Sequence, residues 1–442
     1  MTDNSITIEL FKLLNLKQVN YCVLRNYEFL PGSTGTSDLD IWVHPDDYPK
    51  FKGILKCICE TGIAYLVSYK SDALCPQFTL CAYLSGLQID MHVGIANHRG
   101  IPYFDQEILS HNISYYNGIR VLNPEIDSLM CFLKETLNNK KCKQAYCEKA
   151  HKAVKNMSFE VFASYMQAFS PRIRKEIYSL LVSEKITEED IRQLGIEASS
   201  DLLGVKAKMK HIIGQVVKLK RFIHPIGYTI AFMGTDGAGK TTVIDAVTPI
   251  LNEAFHKGVH YEHMRPNSLP ALAVLFRKKS KTDVPQVCTD PHGGKQSGMV
   301  GSLLRLSYYL LDYTFGYARK ILYDKSVKNH VWIFDRYYYD FIFDPKRACL
   351  SLPKWMVRML GACVPTPDLI VCLGAEAKII HNRKPELPLD EVERQVNELK
   401  KFAKSHKKAV WVDTACSVDE TVTQTMREIL NMMSSRFSKI LK

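Results

Sequence analysis

The stretch YTIAFMGTDGAGKTTVIDAV, residues 228 to 247, runs from an unbroken apolar segment through a glycine-rich loop into a helical pattern. Six consecutive apolar or β-branched residues from Tyr228 to Met233 read as a strand buried on both faces. The loop that follows satisfies G-x-x-x-x-G-K-[ST] at Gly234, Gly239, Lys240 and Thr241. Glycines let such a loop curl so that successive N–H groups point inward at phosphate oxygens, and the next helix adds its positive end. The spacing therefore predicts a triphosphate cradle made of Gly234, Thr235, Asp236, Gly237, Ala238, Gly239, Lys240, Thr241 and Thr242. In it Lys240 reaches the β and γ phosphates, and the Thr241 hydroxyl ligates magnesium. The expected cofactors are ATP and Mg2+.

Outward from this loop, apolar strands recur at HVWIFD (330 to 335), DLIVCLG (368 to 374) and AVWVD (409 to 413), with helical stretches between them. Alternation of this kind predicts an α/β fold with a parallel sheet covered by helices. Asp335 ends one strand where the sheet delivers its C-terminal edge to the loop, which makes it the expected second metal carboxylate, with Arg336 beside it to neutralise phosphate charge. Residues 278 to 300, rich in Gly, Pro and Lys, read as a mobile loop or lid. Upstream, NYCVLR (20 to 25), LDIWV (39 to 43) and GLQIDMHVG (86 to 94) read as strands of a small α/β domain. From Pro124 to Arg221 the spacing turns helical, with caps at Ser158 and Thr187. The expected division is thus 1–130, a helical connector 131–222, and 223–442.

The order of these motifs resembles the thymidylate kinase family over about 200 residues. Asp236 stands where the family carries an acidic residue within the glycine framework, and there that carboxylate meets the acceptor's sugar hydroxyl. Asp335, Arg336 and Tyr337 match the family's Asp-Arg-Tyr strand end, and HNRKPELPLDEVERQ resembles its arginine-bearing lid. The resemblance implies catalytic roles for Lys240, Asp236, Asp335, Arg336, Arg383 and Arg394, with Lys384 among the lid charges. Arg265 falls near the family's Arg-Glu-Pro element, which faces donor and acceptor phosphates. Two departures concern the acceptor. Where the family has Ala-Asp-Arg, this chain reads Asp312 and Tyr313, and the elements that help to recognise thymine give way to YYYDFIFDPKR. Arg265, Asp312 and Tyr313 are the expected acceptor positions. Tyr308, Tyr309, Tyr313 and Tyr317 either line an acceptor pocket or pack one helix into the core.

In the front domain, Asp38 and Asp40 lie two apart on one strand and project from one face, and Asp90 on a neighbouring strand can complete a trio able to hold magnesium. With the run Arg25 to Pro31 before it, this pattern resembles the nucleotidyltransferase superfamily, although the superfamily's Gly-Ser element appears only as Gly32 and Ser33, close to the first aspartate. Proteins of this combined arrangement tend to be encoded among genes for surface polysaccharides, which implies a sugar, glycan or lipid-linked acceptor.

Composition narrows the classes. The chain has 442 residues, a formal charge of +12, 46% hydrophobic and 24% charged residues, ordinary globular values that suit a protein handling phosphorylated ligands. Basic runs at 277 to 281 and 400 to 408 read as solvated surface, and no DNA- or RNA-binding motif is present. The 13 scattered cysteines read as reduced thiols, and Cys142, Cys147 and His151 fan over more than one helix face, a poor zinc set. No apolar run is long enough to span a bilayer and the N-terminus lacks a signal-peptide pattern, so the expected location is cytoplasmic. The expected activity is an ATP-dependent kinase moving the γ-phosphoryl group to a nucleotide, sugar or glycan-linked acceptor. The alternatives are nucleotidyl transfer at Asp38, Asp40 and Asp90, or a nucleotide-gated binding module. Its expected partners are the triphosphate, the acceptor and, as one assembly, a second copy of the chain.

Overall fold

The computed structural model describes residues 5–35, 37–71, 75–98, 100–183, 185–203, 219–270, 292 and 296–441. Most of the stretch 278–300, read above as a lid, lies outside the described residues. The chain forms two compact units, Met1–Leu219 with Phe437–Lys442, and Lys220–Arg436.

The first unit is built on a mixed sheet of seven strands. In chain order the strands are β1 (Tyr21–Val23), β2 (Leu39–Val43), β3 (Tyr65–Lys70), β4 (Gln77–Cys81), β5 (Gly86–Val93), β6 (Ala96–His98), β7 (Ile101–Phe104), β8 (Ile113–Tyr116) and β9 (Ile119–Leu122). Their order across the sheet is β3-β4-β5-β2-β1-β9-β8, while β6 and β7 pair apart. β2 and β5 run parallel, and their register sets Asp40 directly beside Asp90. The helices from 124 to 203, expected mostly as a connector, share one core with this sheet: Cys22, Leu24 and Trp42 pack with Phe132, Phe162, Ile177 and Leu194. Their amphipathic faces leave apolar stripes that a free-standing connector would expose, and the sheet covers them. Ser158 caps its helix by accepting from Val161 N, and Thr187 and Asp190 cap one another.

The second unit is the parallel α/β fold expected from its alternating pattern. Strands β10 (Tyr228–Met233), β11 (Val259–His263), β12 (Val331–Asp335), β13 (Leu369–Gly374) and β14 (Ala409–Asp413) line up as β11-β12-β10-β13-β14, all parallel. β10, β12 and β13 are buried at every position, the condition that selects unbroken apolar runs. The chain runs from β10 to one side for β11 and β12 and to the other for β13 and β14, so the order switches beside β10. Such switch points open the crevice where α/β sheets bind ligands.

Candidate functional site

The loop after β10 sits at that crevice. Gly234 has no room for a side chain, since a Cβ there would lie 2.7 Å from the Leu373 carbonyl oxygen. Gly239 takes φ +83° and caps the helix Lys240–Ala254, a left-handed turn that aims the helix's positive end back at the loop. Lys240 is buried and donates to the carbonyls of Gly234 and Thr235, at 3.0 and 3.1 Å. Burial, and then the Arg336 guanidinium, pull its ammonium down to about 8. A cation that costs this much to keep charged in the free protein gains most when an anion enters.

Asp335 ends β12 opposite Phe232 of β10 and His263 of β11. It is buried, Tyr261 Oη stands 3.4 Å from one carboxylate oxygen, and the other oxygen, Oδ1, has no hydrogen-bond partner among the described residues. A buried, unpartnered carboxylate oxygen is costly unless a cation uses it. Thr241 lines the cavity beside the loop, and a hydroxyl and a carboxylate are the hard oxygen donors that suit a divalent ion such as magnesium.

The next residue, Arg336, takes φ +71°, unusual for a side-chain-bearing residue. Its side chain reaches the glycine loop. There it donates to the Gly234 carbonyl, to Asp340 at 3.0 and 3.1 Å, and to Asp236 at 2.6 Å. Arg347, anchored by Asp344 at 3.3 Å, grips the other oxygen of Asp236. The result is a line of alternating charges, Asp340, Arg336, Asp236, Arg347 and Asp344, tied to the glycine loop through Asp236 and the Gly234 carbonyl. Burial alone would raise the Asp236 carboxyl, but Arg336, Lys240 and Arg347 outweigh it and hold the group well below the usual carboxylate range. Asp236 is therefore ionised. Asp340, Asp344 and Arg347 were not singled out from the sequence. Their only local signal was acid and base recurring at helical spacing in YYYDFIFDPKR, and the partner of Arg347 lies 111 residues upstream.

Beside the loop lies a cavity of about 460 Å³, lined by Lys240, Thr241, Arg383, Lys384, Thr414 and Cys416 among others. Arg383 is held by the Thr414 carbonyl at 2.7 Å and so borders the cavity. Arg394, expected in the same lid, instead pairs with Glu391 and Glu398 and donates to the Phe343 carbonyl. It braces its own helix and does not line this cavity. The expected acceptor positions turn inward as well. Asp312 is fully buried and accepts from Arg265 and from the backbone of Asn267, Ser268 and Leu269, at 2.7 to 3.1 Å. Tyr313 is fully buried among Tyr337, Tyr338 and Phe341, its hydroxyl given to the Met264 carbonyl. Arg265, Asp312 and Tyr313 therefore spend their polar atoms bracing the 264–269 loop. Among the tyrosines of that helix, Tyr309 stacks on Phe341 at 5.3 Å and Tyr308 donates to the Pro270 carbonyl, so packing accounts for them.

In the first unit the structure brings Asp38, Asp40 and Asp90 together, with one ligand atom of each within 4.8 Å of the others. Protein cations already stand among them. Arg25 Nε lies 2.5 Å from Asp40 Oδ2, Lys134 grips Asp40 Oδ1, and Arg25 also reaches Asp38 at 3.6 Å and Glu135 at 3.5 Å. Burial would raise the Asp40 carboxyl, yet Lys134, a hydrogen bond from His92, and Arg25 keep it well below its ordinary value. Burial and the neighbouring charges of Asp38 and Asp40 push Asp90 up to about 7. Both oxygens of Asp40 are thus engaged by protein cations, while the three carboxylates keep the spacing of a group that could hold an ion. Cys142, Cys147 and His151 form no metal-ligand group among the described residues, and His151 bonds the Leu181 carbonyl. No helix among the described residues is long and apolar enough to cross a membrane.

No family model matches the chain, and no curated protein matches it. Among solved structures it is similar to a thymidylate kinase from Ehrlichia chaffeensis, at 16% identity over 46% of this chain and 98% of that one, with a TM-score of 0.31. It is similar also to a thymidylate kinase from Candida albicans, at 17% identity over 46% of this chain and 90% of that one, with a TM-score of 0.33.

Proposed function

We propose that the unit from 220 to 436 transfers the γ-phosphoryl group of ATP to an acceptor carried on a nucleotide, sugar or glycan. The observation that carries this reading is the pairing of the Gly234–Thr241 loop with the unpartnered Asp335 oxygen on the adjacent strand. Magnesium, when bound, would screen the phosphate charge and align the transferring group. Thr241 and Asp335 would hold it. Lys240 donates to the β and γ phosphates, leaving the loop carbonyls it rests on, and Arg383 and Lys384 close the side of the cavity. Arg336 and Arg347 stand on the acceptor side with Asp236 between them, so the arginine missing at Tyr313 has a replacement from the 344–347 turn. With its low proton affinity, Asp236 suits orienting an acceptor hydroxyl more than storing its proton. For the first unit, the cations lodged on Asp40 favour a binding role over metal-dependent nucleotidyl transfer.

Incubation with magnesium and γ-labelled or α-labelled ATP, over a panel of nucleoside monophosphates, sugars and glycan extracts, tests both units. The expected result is γ-label in product, abolished by Lys240→Ala and untouched by Asp38→Asn. Transfer of α-label that Asp38→Asn abolishes would move the chemistry to the first unit, and ATP binding with no transfer from either position would leave only a binding module.

A further inference from the structure

Away from the glycine loop, at the other end of the same strands, three donor side chains converge. His260 is the second residue of β11 and lies in register with Trp332, whereas the loop-side end of that strand pairs His263 with Asp335. His330 immediately precedes β12, and Asp324 opens the turn that leads to it. His260 Nε2 and His330 Nδ1 are hydrogen-bonded to one another at 2.8 Å, and Asp324 Oδ2 faces both, at 3.9 and 3.8 Å.

The surroundings hold these groups in place. The His260 ring stacks on Trp332 with centroids 4.4 Å apart. A Cβ at residue 258 would come within 2.7 Å of the His330 ring, so Gly258 is what lets that imidazole lie there. The Asp324 carbonyl accepts from His330 N at 3.2 Å, and Lys328 takes the outer carboxylate oxygen at 2.8 Å. The remaining nearby cation, Lys320, is paired with Glu262. One carboxylate oxygen is thereby aimed at two ring nitrogens yet stands outside hydrogen-bond reach of both. A tetrahedral ion with metal–ligand bonds of about 2.0 to 2.2 Å separates its ligands by roughly 3.3 Å. The hydrogen-bonded nitrogen pair is slightly inside that spacing and the oxygen slightly outside it, so an ion that replaces the hydrogen bond is reached by small side-chain rotations.

We propose that His260, His330 and Asp324 form a binding site for a divalent transition ion of the zinc class, with a water completing the shell on the exposed side. Two imidazoles and one carboxylate are donors such ions select over magnesium. The side chains are 35%, 24% and 17% exposed, which leaves an entry path. The proton shared between His260 Nε2 and His330 Nδ1 is the one an ion must displace, so binding should weaken as pH falls. The ion would clamp the edge strand β11 to the start of β12 and stabilise the unit by mass action, independently of any phosphate chemistry.

The test titrates Co2+ into the chelator-stripped full chain, follows the visible d–d bands, and then displaces the ion with Zn2+. Expected is one nitrogen- and oxygen-liganded Co2+ per chain, without the near-ultraviolet thiolate band that the free cysteines would give. His260→Ala and His330→Ala should each weaken binding by at least the roughly tenfold to hundredfold typical of lost outer-shell partners. Zn2+ should raise the thermal midpoint of the parent and of Lys240→Ala but not of the histidine variants. Asp324→Asn, which keeps the shape of the turn, serves if a histidine variant fails to fold. Absence of a stoichiometric ion, or binding unchanged in the histidine variants and in Asp324→Asn, overturns the proposal.

Discussion

Replacing Lys240 with methionine should favour the folded, ligand-free unit more near neutral pH than in alkali. Burial first, and the Arg336 guanidinium next, lower the folded-state ammonium from its ordinary 10.5 to about 8. A cationic group depressed on folding opposes folding while it is protonated. The penalty is full below pH 8, shrinks as pH rises through the folded value, and is gone above the unfolded value near 10.5. At about 1.4 kcal/mol per unit, the shift corresponds to about 3 kcal/mol. Methionine also loses two hydrogen bonds to loop carbonyls, a contribution that does not change with pH. The quantity to measure is therefore a double difference: urea unfolding of parent and Lys240→Met, without nucleotide, at pH 7 and at pH 10.5. Other titrating groups cancel between the two proteins. The variant's stability relative to the parent should be about 3 kcal/mol more favourable at the lower pH. A double difference near zero, or one of opposite sign, would refute the placement of a strained cation in the loop.

Arg347→Met should lower the rate of transfer by roughly a hundredfold or more, as loss of one charge-stabilising donor does, while leaving ATP affinity within a few-fold; initial rates and titration calorimetry separate the two. Tyr313→Phe should cost about 1 kcal/mol of stability, because it removes the hydrogen bond to the part-buried Met264 carbonyl, and should leave the acceptor KM unchanged. A raised KM would return Tyr313 to the acceptor site. Gly118→Ala should cost about 1 kcal/mol by denaturant unfolding: residue 118 sits at φ +75° with open space around a Cβ, so only backbone strain is at stake.

The loop and the parallel sheet were legible because their requirements are local. An unbroken apolar run, a glycine at each turn and a helix at once after them leave few other structures for 228 to 247, and the later strands begin and end close to where their apolar runs do. The hairpin of β8 and β9 was legible too and was passed over, for Asn117-Gly118 between two alternating runs is the strongest short hairpin signal. What the sequence could not disclose is which charges meet. Asp236 and Arg347 are joined only through the fold, as are Asp40 and Lys134, 94 residues apart. The same holds for Asp312. Its place at the family's Ala-Asp-Arg element makes it an expected acceptor position, whereas it serves as the buried acceptor for three backbone N–H groups and Arg265. The helices after 124 were separable from the sheet by periodicity alone, and only packing shows that they share its core.

Titration calorimetry with a non-hydrolysable ATP analogue, in magnesium and then in chelator, tests the central claim most directly. One site per chain is expected in the parent, weakened by chelator and by Asp335→Asn and lost in Lys240→Ala. Binding that is absent, or that ignores magnesium and both substitutions, would contradict the assignment of the Gly234–Thr241 loop and Asp335 as a magnesium-triphosphate site.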